Sequence, residues 1–242
     1  MISFKKYVSL LEEQEAQRLK TTINYLQDKQ KVLFLTTSNR SKKVDDKPKS
    51  TMLAEYMADE IGKDKVTLLE IPELNIYNCT GNVSLKDGNS CGVKDALLKD
   101  KNRNPSGYHR CWASWANKDD ELWKVSKPLF ESDAVVFFGS VRWGQMNAFY
   151  QKLIERLNWI ENRHTTLEES NVVKNIDAGL ICIGQNWNGN VVVETQKKVL
   201  EFYGFKTPDI LFWNWQFTTN AYDESKESYE EAYPAFEKEF NL

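Results

Sequence analysis

Only two histidines, four cysteines and six prolines occur in the 242 residues. No run is long and apolar enough to read as a membrane span. Each scarcity closes off a class of function. His109 and His164 lie in no H-E-x-x-H pattern and beside no Ser or Cys nucleophile motif, so neither a zinc protease nor a histidine-activated hydrolase is supported. Cys79, Cys91, Cys111 and Cys182 form none of the closely paired knuckles that preorganise structural zinc. Cys79, Cys91, His109 and Cys111 supply ligand types for a tetrahedral site, but separations of 12, 18 and 2 residues favour buried or incidental thiols.

An excess of either charge is also missing. The 32 Lys+Arg and 35 Asp+Glu leave a formal charge of -3, so no broad cationic surface for nucleic acid is expected. The opening stretch MISFKKYVSLLEEQEAQRLK mixes charge with apolar residues, unlike a signal peptide. Together with dispersed cysteines this gives the expectation of a cytoplasmic protein with free thiols, without membrane or nucleic-acid partners. No G-x-G-x-x-G follows an apolar run, which disfavours a Rossmann dinucleotide domain. Lys49-Ser50-Thr51 lacks the glycines of a triphosphate-binding loop, which disfavours ATP or GTP.

What is present is a repeating alternation of elements. Short apolar runs at Val32–Leu35, Val66–Ile71, Ala134–Phe138, Ala178–Ile183 and Ile210–Trp213 have the length and composition of strands buried on both faces. Helical periodicity marks Phe4–Gln27, Ser50–Ile61, roughly Asp119–Phe130, Met146–Ile160 and about Val191–Tyr203. Five strands separated by helices predict an α/β, doubly wound parallel sheet, for which right-handed crossovers make 2-1-3-4-5 the leading order. With no repeat or low-complexity linker, residues 1–242 read as a single domain with an N-terminal helical extension (1–30), an insertion (72–118) and a C-terminal tail (217–242).

In such a sheet ligands bind beyond the carboxyl ends of the strands, so three loops carry the functional reading. After the first strand, Ser38 and Arg40 precede a basic stretch, and Ser50 and Thr51 open a helix. Between Ser38 and Thr51 the local charge is +3 in an acidic chain, which fits a phosphate at a helix start. After the third strand, Ser140-Val141-Arg142-Trp143-Gly144-Gln145-Met146-Asn147 offers a π-face, a close backbone approach and hydrogen-bonding side chains for a planar ring. After the fourth, Gly184-Gln185-Asn186-Trp187 repeats the combination of glycine, amides and an aromatic.

These loops, with Tyr150-Gln151-Lys152-Leu153-Ile154-Glu155-Arg156-Leu157 behind them, make the chain resemble the NAD(P)H-dependent FMN reductase family of flavodoxin-like flavoproteins. The match runs over about residues 31–217. The resemblance implies FMN, with Ser38, Arg40, Ser50 and Thr51 on its phosphate. It further implies Arg142, Trp143, Gly144, Gln145 and Asn147 at the ring, and Gly184, Gln185 and Trp187 on the opposite wall. It implies NADPH or NADH as reductant, with free flavin, a quinone or another small molecule as electron acceptor. A homodimer or homotetramer is compatible with it. Hydride transfer demands no dedicated acid or base, so no catalytic residue is named. The phosphate loop is longer than is usual in that family, leaving open which of Ser41, Lys42, Lys49, Ser50 and Thr51 meets the phosphate, and Ser140 stands where the family often has proline. The alternative is a flavodoxin-like FMN-binding electron carrier without nicotinamide activity, although the chain is large and only mildly acidic for one. Tyr108, Trp112 and Trp115 in the insertion read either as a lid over the ring or as anchors to the core.

Overall fold

Successive side chains of a strand point to opposite faces, so an apolar run can be covered on both sides. The first strand, β1 (Val32–Thr36), does this: Leu33 and Leu35 face one layer while Val32 and Phe34 face the other, all fully buried. The same division continues through β3 (Ala134–Arg142), where Val135 and Phe137 oppose Val136 and Phe138. In this computed structural model residues 4–40, 46–93 and 99–242 are described, with side chains from residue 15 onward.

The other strands are β2 (Val66–Glu70), β4 (Gln145–Met146), β5 (Asp177–Gly184) and β6 (Phe212–Gln216). Their order is β2-β1-β3-β5-β6, with every neighbouring pair parallel. Among the parallel strands alone this is the expected 2-1-3-4-5. The addition is β4, which folds back antiparallel on the end of β3, pairing Val141 with Met146 and Arg142 with Gln145. Residues 140–147, expected as an open loop, are therefore a strand extension and a tight hairpin.

The helices are α1 (Phe4–Gln27), α2 (Lys49–Ile61), α3 (Trp112–Ala116), α4 (Trp123–Glu131), α5 (Ala148–Thr165), α6 (Gly189–Phe202) and α7 (Lys226–Phe240). Residues of α1, α2 and α7 share one core layer with Phe34 and Phe138, and those of α4, α5 and α6 share the other with Leu35 and Phe137. The expected tail is thus largely a helix, and its Ala232, Phe236 and Phe240 are buried. Phe236 stacks edge-on to Trp215 with ring centroids 5.1 Å apart. Among the described residues, no helix is long and apolar enough to cross a membrane.

The described residues of the 72–118 segment are fastened to α5 by Asn89 on Asn162, by Arg163 on Tyr108 and above all by one buried arginine. Arg156, fully buried, donates to Asp120 Oδ1 and Oδ2, Ser114 Oγ, the Tyr77 carbonyl and Cys111 Sγ. Ordering a polar segment this way needs every donor matched, because an unpaired buried guanidinium is costly. Trp112 donates to the Ser90 carbonyl and stacks on Trp115, and Tyr108 stacks on Phe130. None of these three aromatics lines the cleft described below, so the lid reading gives way to the anchoring one. Among the described residues, no group of three or more His, Cys, Asp or Glu side chains is placed to hold a metal ion.

Candidate functional site

The carboxyl ends of β1, β3 and β5 open into a cleft of about 330 Å³, at the lower end of the size range of ligand sites. Its first wall comes from the end of β1 and the start of α2. Ser50, buried in the first helical turn, donates to Ser38 Oγ at 2.8 Å. The first amides of a helix have no intrahelical partner and point outward at this end. Arg40 and Lys49 add charge: Arg40 pairs with Asp46 at 3.5 Å, and burial, then the neighbouring Arg40, lowers the Lys49 ammonium from its ordinary range. Hydroxyls, free amides and two crowded cations make this wall suited to an anion. Residues 41–45, which include Ser41 and Lys42, lie outside the described residues.

The second wall is the β3–β4 hairpin. Its two turn residues, Trp143 and Gly144, have φ values of 50° and 69°, the doubly left-handed geometry of a type I′ connection. Glycine adopts this at no steric cost, whereas a tryptophan does so under strain. A Cβ on Gly144 would come within 2.7 Å of the Trp187 ring, so the turn lies directly against that indole. Asn188, itself left-handed, donates to the Gly144 carbonyl at 2.6 Å and locks the hairpin to the β5 loop. Trp143 then projects from the rim, 94% exposed. Deeper in, Ser140 lines the cleft with a buried hydroxyl that has no partner among the described residues.

The third wall is the β5 loop together with chain from beyond β6. Asn186 is buried and donates to the carbonyls of Ala221 and Asp223 and to Glu224 Oε1, the last at 2.7 Å. Gln185 donates to Ser228 Oγ. Tyr229, on the first turn of α7, donates to the other oxygen of Glu224. That bond raises the Tyr229 phenol to about 12, with burial adding to it, while the bonds from Tyr229 and then Asn186 lower the Glu224 carboxyl.

Of the residues expected at the site, Ser38, Arg40, Ser50, Ser140, Val141, Arg142, Trp143, Gly144, Gly184, Gln185, Asn186 and Trp187 line this one cleft. Thr51, Gln145, Met146 and Asn147 do not. Thr51 is buried within α2, Gln145 is exposed on β4, and Met146 is buried with Sδ 3.3 Å from Cys182 Sγ. Asn147 caps α5 by accepting from the Tyr150 amide and donates to Thr37 Oγ1, so its side chain is occupied structurally. Gly139 makes room for this arrangement, since a Cβ there would meet Met146 and Thr37 at 2.5 and 2.7 Å. Glu224 and Tyr229 line the cleft without having been expected. Helical spacing of Tyr229, Ala232, Phe236 and Phe240 was the available signal for the helix that carries Tyr229, and Glu224 precedes that helix by two residues.

No family model matches the chain, and neither does any curated protein. Solved structures do match. RosB with the bound intermediate 8-demethyl-8-formylriboflavin-5′-phosphate aligns at a TM-score of 0.53 and 15% identity, covering 87% of this chain and 74% of that one. The fold is flavodoxin-like. Further matches are an azoreductase from Bacillus anthracis str. Sterne (13% identity, 87% of this chain and 97% of that one, TM-score 0.47) and the Trp repressor binding protein from Bacillus subtilis (12%, 88% and 98%, TM-score 0.44).

Proposed function

We propose that the chain is an FMN-dependent NAD(P)H oxidoreductase that passes electrons from a reduced nicotinamide to a small-molecule acceptor. The observation that carries this reading is the convergence on one cleft of an anion-suited helix start with two glycine- and aromatic-bearing strand ends. The structural likeness to RosB, a protein described with a riboflavin-5′-phosphate derivative bound, agrees with it.

The residues present fit such a cofactor. Ser38, Ser50, Arg40 and Lys49 would receive the phosphate, and the orphaned Ser140 hydroxyl lacks only a ligand partner in its own cleft. Gly184 lines the same cleft, and a Cβ there would already lie at van der Waals distance from Val141 and the Trp215 carbonyl, so this part of the wall is closely packed. Bound flavin would supply the hydride-accepting and hydride-donating chemistry. The chain's own work is to hold the phosphate, to fix the rim through Asn188 and Gly144, and to shape an opening for the exchanging ligand between Trp143, Trp187 and Tyr229.

The visible spectrum of the purified protein, recorded with added FMN and then with NADPH or NADH under anaerobic conditions, tests this. Bound flavin that bleaches with reduced nicotinamide is the expected result. Flavin that binds and stays oxidised would indicate the electron carrier, and no binding would refute both.

A further inference from the structure

Glu224 is the one carboxylate lining the cleft among the described residues, in a lining that otherwise carries Arg40, Lys49 and Arg142. It is held unusually firmly for an exposed side chain. Asn186 donates to one oxygen and Tyr229 to the other. Both donors are neutral, so they fix the position of the charge without cancelling it. Among the described residues no ion pair to Glu224 is formed; the neighbouring Asp223 opposes its charge, and Arg142, a cation of the lining, acts on Tyr229 without pairing with the carboxylate. Asn186 is itself buried and tied to two backbone carbonyls of residues 221–223, so the carboxylate does not swing freely.

The placement is also polarised. The anion-suited wall belongs to β1 and α2, Glu224 is fastened to the β5 loop, and β3 lies between these strands in the sheet. A ligand phosphate held at the α2 end therefore leaves Glu224 toward the part of the cleft rimmed by Trp187 and Tyr229. A fixed negative charge at a ligand-exchange opening discriminates by repulsion as much as by attraction.

We propose that Glu224, pinned by Asn186 and Tyr229, selects the exchanging acceptor by charge, admitting neutral or cationic flat molecules and disfavouring those with an anionic substituent. The proposal rests on the flavin reading for the identity of the inner occupant, but its test does not depend on it. Glu224→Gln preserves size and hydrogen-bonding ability while removing the charge. The probes are 1,4-naphthoquinone and 1,4-naphthoquinone-2-sulfonate, each titrated against the oxidised protein by quenching of tryptophan fluorescence, with FMN affinity measured separately.

The Gln variant should bind the sulfonate about fivefold more tightly and the neutral quinone unchanged, with the difference shrinking at high salt as screened charges require. FMN affinity should stay within about twofold, since charge recognition of the phosphate belongs to the other wall. Tyr229→Phe keeps the carboxylate but frees one of its oxygens, and should give a sulfonate-to-neutral ratio between those of the wild type and the Gln variant. An unmoved sulfonate-to-neutral ratio in the Gln variant overturns the proposal, and a Phe variant with the wild-type ratio overturns the part given to Tyr229. Failure of the wild type to bind FMN would sink the flavin reading alone, because the quinone ratio is read equally well without it.

Discussion

Arg156 and Asp120 meet side by side in the interior, Nη1 2.8 Å from Oδ1 and Nη2 2.9 Å from Oδ2, with neither residue reaching solvent to any useful extent. This bidentate pair ties α5 to the segment preceding α4. Breaking it on one side strands a buried charge, so Arg156→Met or Asp120→Ala should destabilise by about 3–5 kcal/mol. Replacing both partners by apolar residues should recover much of that loss, as read from urea denaturation midpoints.

Acid should act on this protein in two stages. Burial, then the nearby Arg156 charge, lowers His109 to about 3, and its Nδ1 lies 2.8 Å from Ser126 Oγ. A histidine that is neutral when folded but protonates when unfolded costs stability as pH falls from about 6.5 toward 3, at up to about 1.4 kcal/mol per unit. His109→Phe should flatten the decline in stability over that window.

The second stage involves Asp120. Burial alone would raise its carboxyl, but the hydrogen bonds from Arg156 and Ser114 outweigh burial and hold it below the ordinary range. A carboxyl depressed by folding contributes stability above its unfolded value, about 3.9, and loses that contribution as pH falls through the folded value. Asp120→Asn should therefore lower stability at neutral pH and remove the part of the acid sensitivity that begins near pH 4, measured as the shift in urea midpoint.

Trp143 occupies a turn position better suited to asparagine. Left-handed backbone costs an ordinary L-residue about 1–2 kcal/mol, and Asn-Gly is the preferred pair for a type I′ hairpin. Trp143→Asn should raise thermal stability by about 1 kcal/mol while weakening the binding of flat ligands. Equal or lower stability with unchanged ligand affinity would show that the indole is neither strained nor used.

On the phosphate wall, Arg40→Ala should weaken FMN by the value of a charge-assisted hydrogen bond, about 1.5–3 kcal/mol. Flavin fluorescence titration at two salt concentrations checks this, and the loss should be larger at the lower one.

Much of the architecture was legible because the sheet is buried on both faces. Runs such as Val32–Leu35 and Ala134–Phe138 leave no alternative to a covered strand, and the helix beginning near Asn147 announces itself by spacing. Arg156 was visible as part of the helix that carried the family resemblance, but its work of anchoring Tyr77, Cys111, Ser114 and Asp120 was not, because these partners are 36 to 79 positions away. The hairpin at 140–147 was missed because a two-residue β4 has no period to detect, and a tryptophan is a poor advertisement for a left-handed turn. Asn147 looked like a ring ligand, and its position one residue before a helix was the better guide. Glu224 and Tyr229 gave no local sign of their place. They reach the cleft only because α7 docks on α1 and α2, and α7 carries Pro234 in its interior, which weakens its signal.

That docking sets an order of events during synthesis. The cleft's β1, β3 and β5 loops all emerge before residue 190, yet Asn186 and Gln185 are held by partners among residues 216–228. The same late stretch carries Phe236 and Phe240, which cover Trp213 and Trp215 on one face of the sheet. A nascent chain halted after β5 would hold an anion-suited helix start without its third wall or its selecting carboxylate. Ligand capture and closure of one core layer are thereby deferred to the same stretch of chain after β6.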